Sequence, residues 1–108
     1  MLLVLLLALS TARDVKLEVS PRHALAPVTL RARVMVQPHD DNRNLCLEWE
    51  TGSSCEPLEG QLSKITHYFK VQLPYAGEYH FVARVYRTFD KVVRSEERSV
   101  TVIESIPQ

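Results

Sequence analysis

The chain has 108 residues, which gives room for one domain of ordinary size and none for a second hydrophobic core. Its 13 Lys and Arg balance 13 Asp and Glu, so a broad electrostatic attraction to nucleic acid has no basis in the composition. Hydrophobic residues make up 45% of the chain, with three Gly and six Pro, a composition that argues against disorder and favours a packed core.

The first twelve residues form an apolar segment that predicts export. Residues 1–12 are mostly Leu, Val and Ala and end in the small residues Ser10 and Ala12, as a signal-peptidase site requires. The segment is shorter than usual and lacks a basic start, and the alternative is a first strand of the fold. We predict a signal peptide, a domain over residues 14–104, a tail over residues 105–108, and no stable membrane span.

Alternation of apolar and polar residues predicts two strands in the next part of the chain. Val15, Leu17 and Val19 share one face of the first strand, which Pro21 ends because proline cannot donate a hydrogen bond to a sheet. The alternation over residues 28–37 is almost unbroken and predicts a second strand.

A polar loop over residues 38–44 leads into a third strand that carries the only tryptophan of the chain. Leu45, Leu47 and Trp49 share one face of this strand, and we expect Trp49 to be the largest side chain of the core. Residues 51–54 predict a turn, after which the chain returns along the strand.

The two cysteines, Cys46 and Cys55, lie on either side of this turn. In an oxidising compartment one disulfide is the favoured state, and it would lie on the outer face of the hairpin, away from Trp49. The loop that it closes predicts a stabilisation of roughly 2.5–3 kcal/mol. A metal site is the weaker interpretation, because the spacing is not Cys-x-x-Cys and there is no second pair.

Two further strands are predicted before the end of the chain. Residues 56–63 predict a loop or a short irregular strand, and residues 65–73 then alternate strictly and predict a strand. Gly77 and Tyr79 then begin the strand that contains Phe81, with the local pattern of a tyrosine corner, in which the phenol donates a hydrogen bond back across the turn.

The end of the chain predicts a hairpin. Residues 89–95 form a connection with Asp90 near its tip, in which Val92 and Val93 prolong the pairing, and Val100 and Val102 close the sheet. With about seven strands separated by turn signals and no helical periodicity, the pattern predicts an all-β sandwich.

The order of these features resembles the immunoglobulin-like superfamily. Trp49 in the third strand, Gly77-x-Tyr79, and Val-x-Val ending at Val102 carry the resemblance, which covers residues 14–104. PKD-type and fibronectin type III-like modules match better than antibody domains do. The resemblance implies an immunoglobulin-like antiparallel β-sandwich of about seven strands, in which Trp49, Gly77, Tyr79 and Phe81 have structural roles.

Two departures from the superfamily patterns are evident. Val34 and Phe81 occupy the places where antibody domains carry the cysteines of the inter-sheet disulfide. The stretch Trp-Glu-Thr-Gly-Ser-Ser at residues 49–54 keeps the Trp and one Gly of a PKD module and lacks its Phe and Asp.

In a sandwich of this order the third, sixth and seventh strands share a sheet, and its outer face would bring several polar and aromatic side chains together. These are Glu48, Glu50, His80, Arg84 and Tyr86. Tyr and Arg are enriched at binding hot spots, so we predict that this face binds a partner. The alternative is ordinary pairing of charges between neighbouring strands.

Other polar groups have a weaker claim to function. Asp40 and Asp41 offer oxygen ligands to Ca²⁺, although a solvated loop is favoured, and His67 is best explained as a core or corner histidine with one satisfied hydrogen bond. The opposite sheet would expose a basic stripe with one aromatic residue, which could contact an acidic polysaccharide or remain a solvated face relieved by Glu18. The stripe contains Lys16, Arg31, Arg33, Tyr68 and Lys70.

No phosphate-binding loop, nucleophile elbow or His-Glu-x-x-His motif is present, so we predict a non-enzymatic protein without cofactor or metal. The first hypothesis is a binding module, secreted or held in the cell envelope, with a protein or glycan partner and no nucleic acid. One alternative is a structural subunit of a virion, pilus or surface layer, joined by strand addition. Another is a small secreted enzyme inhibitor that inserts residues 42–44 or 89–94 into a cleft. The sequence indicates no oligomeric state.

Overall fold

The computed structural model describes residues 14–58 and 63–105, and these residues form nine β-strands and one 3₁₀ turn, Thr88–Asp90. The strands are β1 Val15–Ser20, β2 His23–Leu25, β3 Val28–Val36, β4 Asn42–Trp49, β5 Gly52–Pro57, β6 Ile65–Leu73, β7 Gly77–Arg87, β8 Val92–Arg94 and β9 Arg98–Ile103. The predicted all-β class is confirmed. The predicted signal peptide and most of the predicted tail lie outside the described residues.

The strands form two sheets that pack together. One sheet has the order β1-β3-β6, with both pairings antiparallel. The other has the order β2-β9-β7-β4-β5, and β8 also pairs with β7. Its pairings are antiparallel except that β2 runs parallel to β9. The chain crosses repeatedly from one sheet to the other, so both sheets contribute to one core.

Each sheet turns its apolar face towards the other, as the alternation in the sequence predicts. The buried residues form one hydrophobic cluster, and Phe81 is the largest of its completely buried side chains. β1, β3 and β6 contribute Val15, Leu17, Val19, Leu30, Ala32, Val34, Val36, Phe69, Val71 and Leu73, and the other sheet contributes Leu45, Leu47, Tyr79, Phe81, Ala83, Val85, Val100 and Val102. The polar residues between them face outward.

The turn that precedes β7 has the geometry of a tyrosine corner. The Tyr79 hydroxyl donates a hydrogen bond of 2.8 Å to the backbone carbonyl of Tyr75, and the Tyr79 ring is buried. Gly77 has a φ of +157°, which residues with a side chain rarely adopt, and its open side faces the Tyr79 ring. The glycine thus lets the chain enter β7 close beneath the phenol.

Trp49 differs from the expectation that it would be the largest side chain of the core. It is half-buried at the end of β4, with its ring centroid 5.5 Å from that of the completely buried Phe81. The indole lies against Gly52, where an added Cβ would come within 2.9 Å of Trp49 Cζ2. Trp49 therefore covers the edge of the core beside the hairpin turn, and Phe81 fills the centre.

The strand count exceeds the predicted seven because two strands of three residues were not foreseen as separate elements. β2 lies between Pro21 and Pro27, and three residues are too few to show a periodic pattern. β8 follows the 3₁₀ turn and continues the hairpin, as Val92 and Val93 suggested. An entirely antiparallel arrangement was also wrong, because β2 joins β9 in parallel.

The hairpin between β4 and β5 is tighter than predicted. Trp49 already pairs with Gly52, so the turn consists of Glu50 and Thr51 rather than of residues 51–54. β5 then continues through Pro57, into the start of the segment predicted as a loop or a short irregular strand.

The predicted disulfide is confirmed. Cys46 and Cys55 are directly opposite each other in the β4–β5 register, with a Cα–Cα distance of 4.0 Å and a bond between their sulfur atoms. The bridge joins the two strands across their outer face. Among the described residues, no helix has the length and apolar character that crossing a bilayer requires.

Candidate functional site

The outward-facing side chains of β4 and β7 bring together the residues that the sequence pattern grouped. The register of this antiparallel pair sets Glu48 opposite Val82, and Arg84 follows two residues further along β7. Because side chains alternate between the two faces of a sheet, those of Leu45 and Leu47 point into the core instead. We use the name β4–β7 face for Glu48, Glu50, His80, Arg84 and Tyr86.

Glu48 is the centre of a polar network on this face. One carboxylate oxygen of Glu48 forms an ion pair of 2.8 Å with Arg84 Nε, and the other accepts a 2.8 Å hydrogen bond from the Tyr86 hydroxyl. Only 32% of the Glu48 side chain and 35% of the Arg84 side chain are exposed, so both are held against the sheet. The hydrogen bond to Glu48, then burial and the carboxylate charge, raise the pKa of Tyr86, which keeps the phenol a donor.

Glu50 and His80 form a second pair at the end of β4. Glu50 accepts a hydrogen bond of 2.8 Å from the backbone N–H of His80 and lies 2.5 Å from His80 Nδ1. Partial burial pushes the pKa of Glu50 upward, but the backbone and ring hydrogen bonds from His80 outweigh it, so this pKa lies below its ordinary value.

The His80 ring responds in the opposite direction. Its hydrogen bond to Glu50 is the largest cause and raises the pKa of His80. Burial lowers this pKa by less than the hydrogen bond raises it, and the charges of Glu50, Glu97 and Glu78 raise it further. The imidazole therefore holds its proton to a higher pH than a free histidine does. The β4–β7 face consequently carries two compact acid–base pairs, Glu48 with Arg84 and Glu50 with His80.

The loop between β7 and β8 projects an aromatic side chain next to this face. Phe89 is 90% exposed, and its φ of 61° and ψ of 37° lie in the left-handed region that bulky residues avoid. Asp90 follows with a φ of 59°. Tyr86 is opposite Val92 in the β7–β8 register, so the apolar end of the loop adjoins the Tyr86 end of the face.

The base of this loop is firmly held. The backbone N–H of Arg87 donates a hydrogen bond of 2.8 Å to the carbonyl of Lys91. The backbone N–H of Thr88 donates one of 3.1 Å to the backbone carbonyl of Asp41. Arg87 Nε also donates to the side-chain oxygen of Asn42 at 2.9 Å, and Asn42 is completely buried. The sequence pattern did not predict this support, because Asn42 and Arg87 are 45 positions apart in the chain. An aromatic residue inside a turn was the only local signal.

The loop that contains Asp40 and Asp41 is held by hydrogen bonds to the backbone of both residues. His39 Nδ1 accepts a hydrogen bond of 3.0 Å from the backbone N–H of Asp41, and Arg43 donates one of 2.7 Å to the carbonyl of Asp40. In the part of the chain that the structure describes, no three His, Cys, Asp or Glu residues are grouped as metal ligands.

His67 lies at the edge of the core, where its sequence position suggested. Its ring makes an edge contact with Phe69 at a centroid distance of 4.6 Å, and its Nε2 is 3.6 Å from Glu56. Both cysteines are bonded to each other, so neither offers a thiol nucleophile.

The predicted basic stripe is also assembled. Arg31 pairs with Lys70 and Arg33 with Tyr68 across β3 and β6, while Lys16 is further along, opposite Met35. Arg33 is bound to Glu18 of β1 through a charged hydrogen bond.

Comparison with known proteins adds no family to this description. No protein-family model matches the chain, and no curated protein matches it.

Proposed function

We propose that this protein is an exported, non-enzymatic, immunoglobulin-like β-sandwich module, of PKD-type or fibronectin type III-like character, that binds a protein partner through the β4–β7 face. In immunoglobulin-like domains the A, B and E strands share one sheet and the C, F and G strands share the other. β1, β3 and β6 match the first set in chain order, and β4, β7 and β9 match the second. The hydrogen bond from Tyr79 to Tyr75 adds support, because a tyrosine corner precedes the F strand.

Export is supported by the disulfide between Cys46 and Cys55, since such bonds persist in oxidising compartments. The apolar residues 1–12 supply the signal in this proposal. Intact mass of the natively secreted protein, measured with and without reduction, tests both parts. We expect a chain that lacks residues 1–12 and gains the mass of two hydrogen atoms on reduction. A full-length chain with two free thiols would contradict export.

The observation that carries the binding proposal is the network in which Glu48 holds Arg84 and Tyr86. Arg and Tyr are the types of residue that dominate binding energy when they are buried at an interface. Here both are fixed by a common carboxylate, so the Arg84 and Tyr86 side chains would lose little conformational entropy when a partner docks. The exposed apolar side chains of Val92 and Phe89 continue the surface beyond Tyr86 and favour a protein partner.

The experiment uses the full secreted chain as an immobilised bait for extracellular proteins of its source. We expect the wild-type chain to retain a partner that the double variant Arg84→Ala/Tyr86→Ala does not retain. The matched control is Arg31→Ala/Tyr68→Ala, which removes the same two residue types from the opposite sheet. Equal retention by the two double variants would contradict a binding role for the β4–β7 face.

A second candidate function is inhibition of an enzyme by insertion of the loop around Phe89 into a cleft. The observation that favours it is the 90% exposed aromatic ring above a base fixed by Arg87 and Asn42. Inhibition of one member of a protease panel, lost in Phe89→Ala and kept in Arg84→Ala/Tyr86→Ala, would support this candidate over the first. Absence of inhibition across the panel would count against it.

A further inference from the structure

The outer face of the three-stranded sheet carries two cations that have no acidic partner among the described residues. Arg31 of β3 and Lys70 of β6 are exposed and directly opposite each other in the register. Like charges in this position repel each other and reduce the stability of the sheet. The nearby carboxylate, that of Glu18, is occupied by Arg33. The fold therefore maintains an unfavourable pair that an external anion would relieve.

An aromatic ring completes the surface. Tyr68 lies opposite Arg33 on the same face and is 57% exposed. A shallow depression of about 460 Å³ is lined by the side chains of Arg31, Arg33, Tyr68 and Lys70. Arg31 and Arg33 are two positions apart in β3, so their Cα atoms are separated by roughly 7 Å along the strand. The depression thus presents the facing cations Arg31 and Lys70 beside an exposed aromatic ring, while Arg33 and Glu18 in its lining are paired with each other.

This combination selects a ligand class. Guanidinium and ammonium groups form charge-assisted hydrogen bonds with sulfate and carboxylate groups, and Arg does so through two parallel bonds. The amphipathic face of a tyrosine suits the mixed polar and apolar surface of a sugar ring. Arg31 and Lys70 lie opposite each other and can share one anionic group, and Tyr68, two residues before Lys70 in β6, lies beside them for an adjacent sugar ring. The chain as a whole has no formal net charge, so the attraction depends on the local charge of this face.

We propose that Arg31, Lys70 and Tyr68 form a binding site for an acidic polysaccharide. Arg31 and Lys70 neutralise a sulfate or carboxylate group of the chain, and the Tyr68 ring packs against an adjacent sugar. An anionic membrane fits less well, because the other large exposed hydrophobic residues, such as Leu25, Tyr75 and Phe89, are outside this sheet and cannot insert beside the cations. The site is separate from the β4–β7 face and does not depend on the function proposed for it.

The test measures binding of the full chain to three soluble polysaccharides: sulfated heparin, carboxylated hyaluronate and neutral dextran. We expect binding to at least one of the two anionic polymers and none to dextran, with affinity falling as NaCl is raised from about 50 to about 300 mM. Arg31→Gln/Lys70→Gln should weaken binding at least about tenfold, the equivalent of roughly 1.4 kcal/mol. The control Lys91→Gln/Arg94→Gln removes the same charge from exposed positions in and beside β8 and should have little effect.

Two further variants test the role of the ring and the integrity of the fold. Tyr68→Phe should keep the affinity, because the ring remains, and Tyr68→Ser should lose it. The melting temperature of Arg31→Gln/Lys70→Gln should equal or exceed that of the wild type, since the variant removes a like-charge pair. Arg84→Ala/Tyr86→Ala should bind the polysaccharide normally, which separates this site from the protein-binding proposal.

Several outcomes would overturn the inference. Binding to neither heparin nor hyaluronate would contradict the inference. Equal weakening by Arg31→Gln/Lys70→Gln and by Lys91→Gln/Arg94→Gln would also contradict it, because it would indicate attraction to positive charge anywhere on the surface. Full affinity in Tyr68→Ser would reduce the patch to a general anion site and contradict the polysaccharide assignment. Binding to vesicles of phosphatidylglycerol and phosphatidylcholine, without binding to either polymer, would assign the face to a membrane instead.

Discussion

A single hydroxyl group connects the turn before β7 to the body of the fold. The Tyr79 phenol reaches the Tyr75 carbonyl at 2.8 Å. Removing the hydroxyl in Tyr79→Phe keeps the buried ring and leaves the carbonyl with one partner fewer. We expect the free energy of unfolding to fall by about 0.5–1.5 kcal/mol, measured by urea denaturation.

The control for this prediction is Tyr75→Phe, which alters an exposed ring and keeps the accepting carbonyl. Its effect should lie within about 0.5 kcal/mol of zero, as for most surface changes. Equal destabilisation by the two variants would mean that the hydrogen bond of the corner contributes nothing particular to stability.

Two phenylalanines show how the environment decides the effect of one residue type. Phe81 is completely buried, whereas Phe89 is 90% exposed with a left-handed backbone. Phe81→Ala should lose about 3–5 kcal/mol of stability because it creates a cavity. Phe89→Gly should remain within about 1 kcal/mol of wild type, since relief of the positive φ offsets the greater entropy of glycine in the unfolded chain.

Thermal and urea denaturation of both variants test this contrast. A loss of several kcal/mol in Phe89→Gly would show that the ring packs against the protein, and would count against its availability to a partner. Retention of the partner by Phe89→Gly, with a normal fold, would exclude the ring as an anchor of the binding surface.

At the scale of elements, the pair of Glu50 and His80 links the end of β4 to β7 and makes their association pH-dependent. His80 has a raised pKa, so its contribution is complete below its ordinary value of 6.5 and is lost as the pH rises through the raised value. Glu50 has a lowered pKa, so its contribution is complete above its ordinary value of 4.5 and is lost as the pH falls through the lowered value.

We therefore expect the stability difference between wild type and His80→Gln to be largest between pH 4.5 and 6.5 and to shrink on both sides of this window. Urea denaturation at a series of pH values gives the difference directly. Glu104→Gln is the control, because Glu104 is exposed and is not among the groups that shift the pKa of His80. A difference that does not vary with pH would contradict a charged pair.

The alternation of residues along β3, β6 and β7 was sufficient to predict which side chains face the core. It was not sufficient to predict which strands meet, because pairing depends on contacts between distant segments. β2 shows the limit most plainly, since its parallel pairing with β9 joins residues almost eighty positions apart and leaves no local pattern.

At the scale of the whole molecule, the disulfide restricts the unfolded chain more than it alters the folded one. Cys46 and Cys55 are nine positions apart, and their bond lies on an already paired hairpin. On the chain-entropy view, Cys46→Ser/Cys55→Ser should lower the free energy of unfolding by roughly 2.5–3 kcal/mol. Urea denaturation of the variant and of the reduced wild type should give similar midpoints. Unchanged stability after reduction would contradict this contribution.

The sequence by itself determined the all-β class, the inward face of the long strands, the disulfide, and the outward position of Glu48, Glu50, His80, Arg84 and Tyr86. These follow from the period of two along a strand and from short-range signals such as Gly-x-Tyr, which act within a few residues.

The tertiary structure alone decided how the grouped side chains are connected. It joined Glu48 to both Arg84 and Tyr86, set Arg31 against Lys70, and placed buried Asn42 beneath the loop that exposes Phe89. Each of these contacts spans strands that are distant in the chain. Their geometry is fixed by register and by the packing of two sheets on one core, and a shift of one residue in register would turn every one of these side chains to the other face.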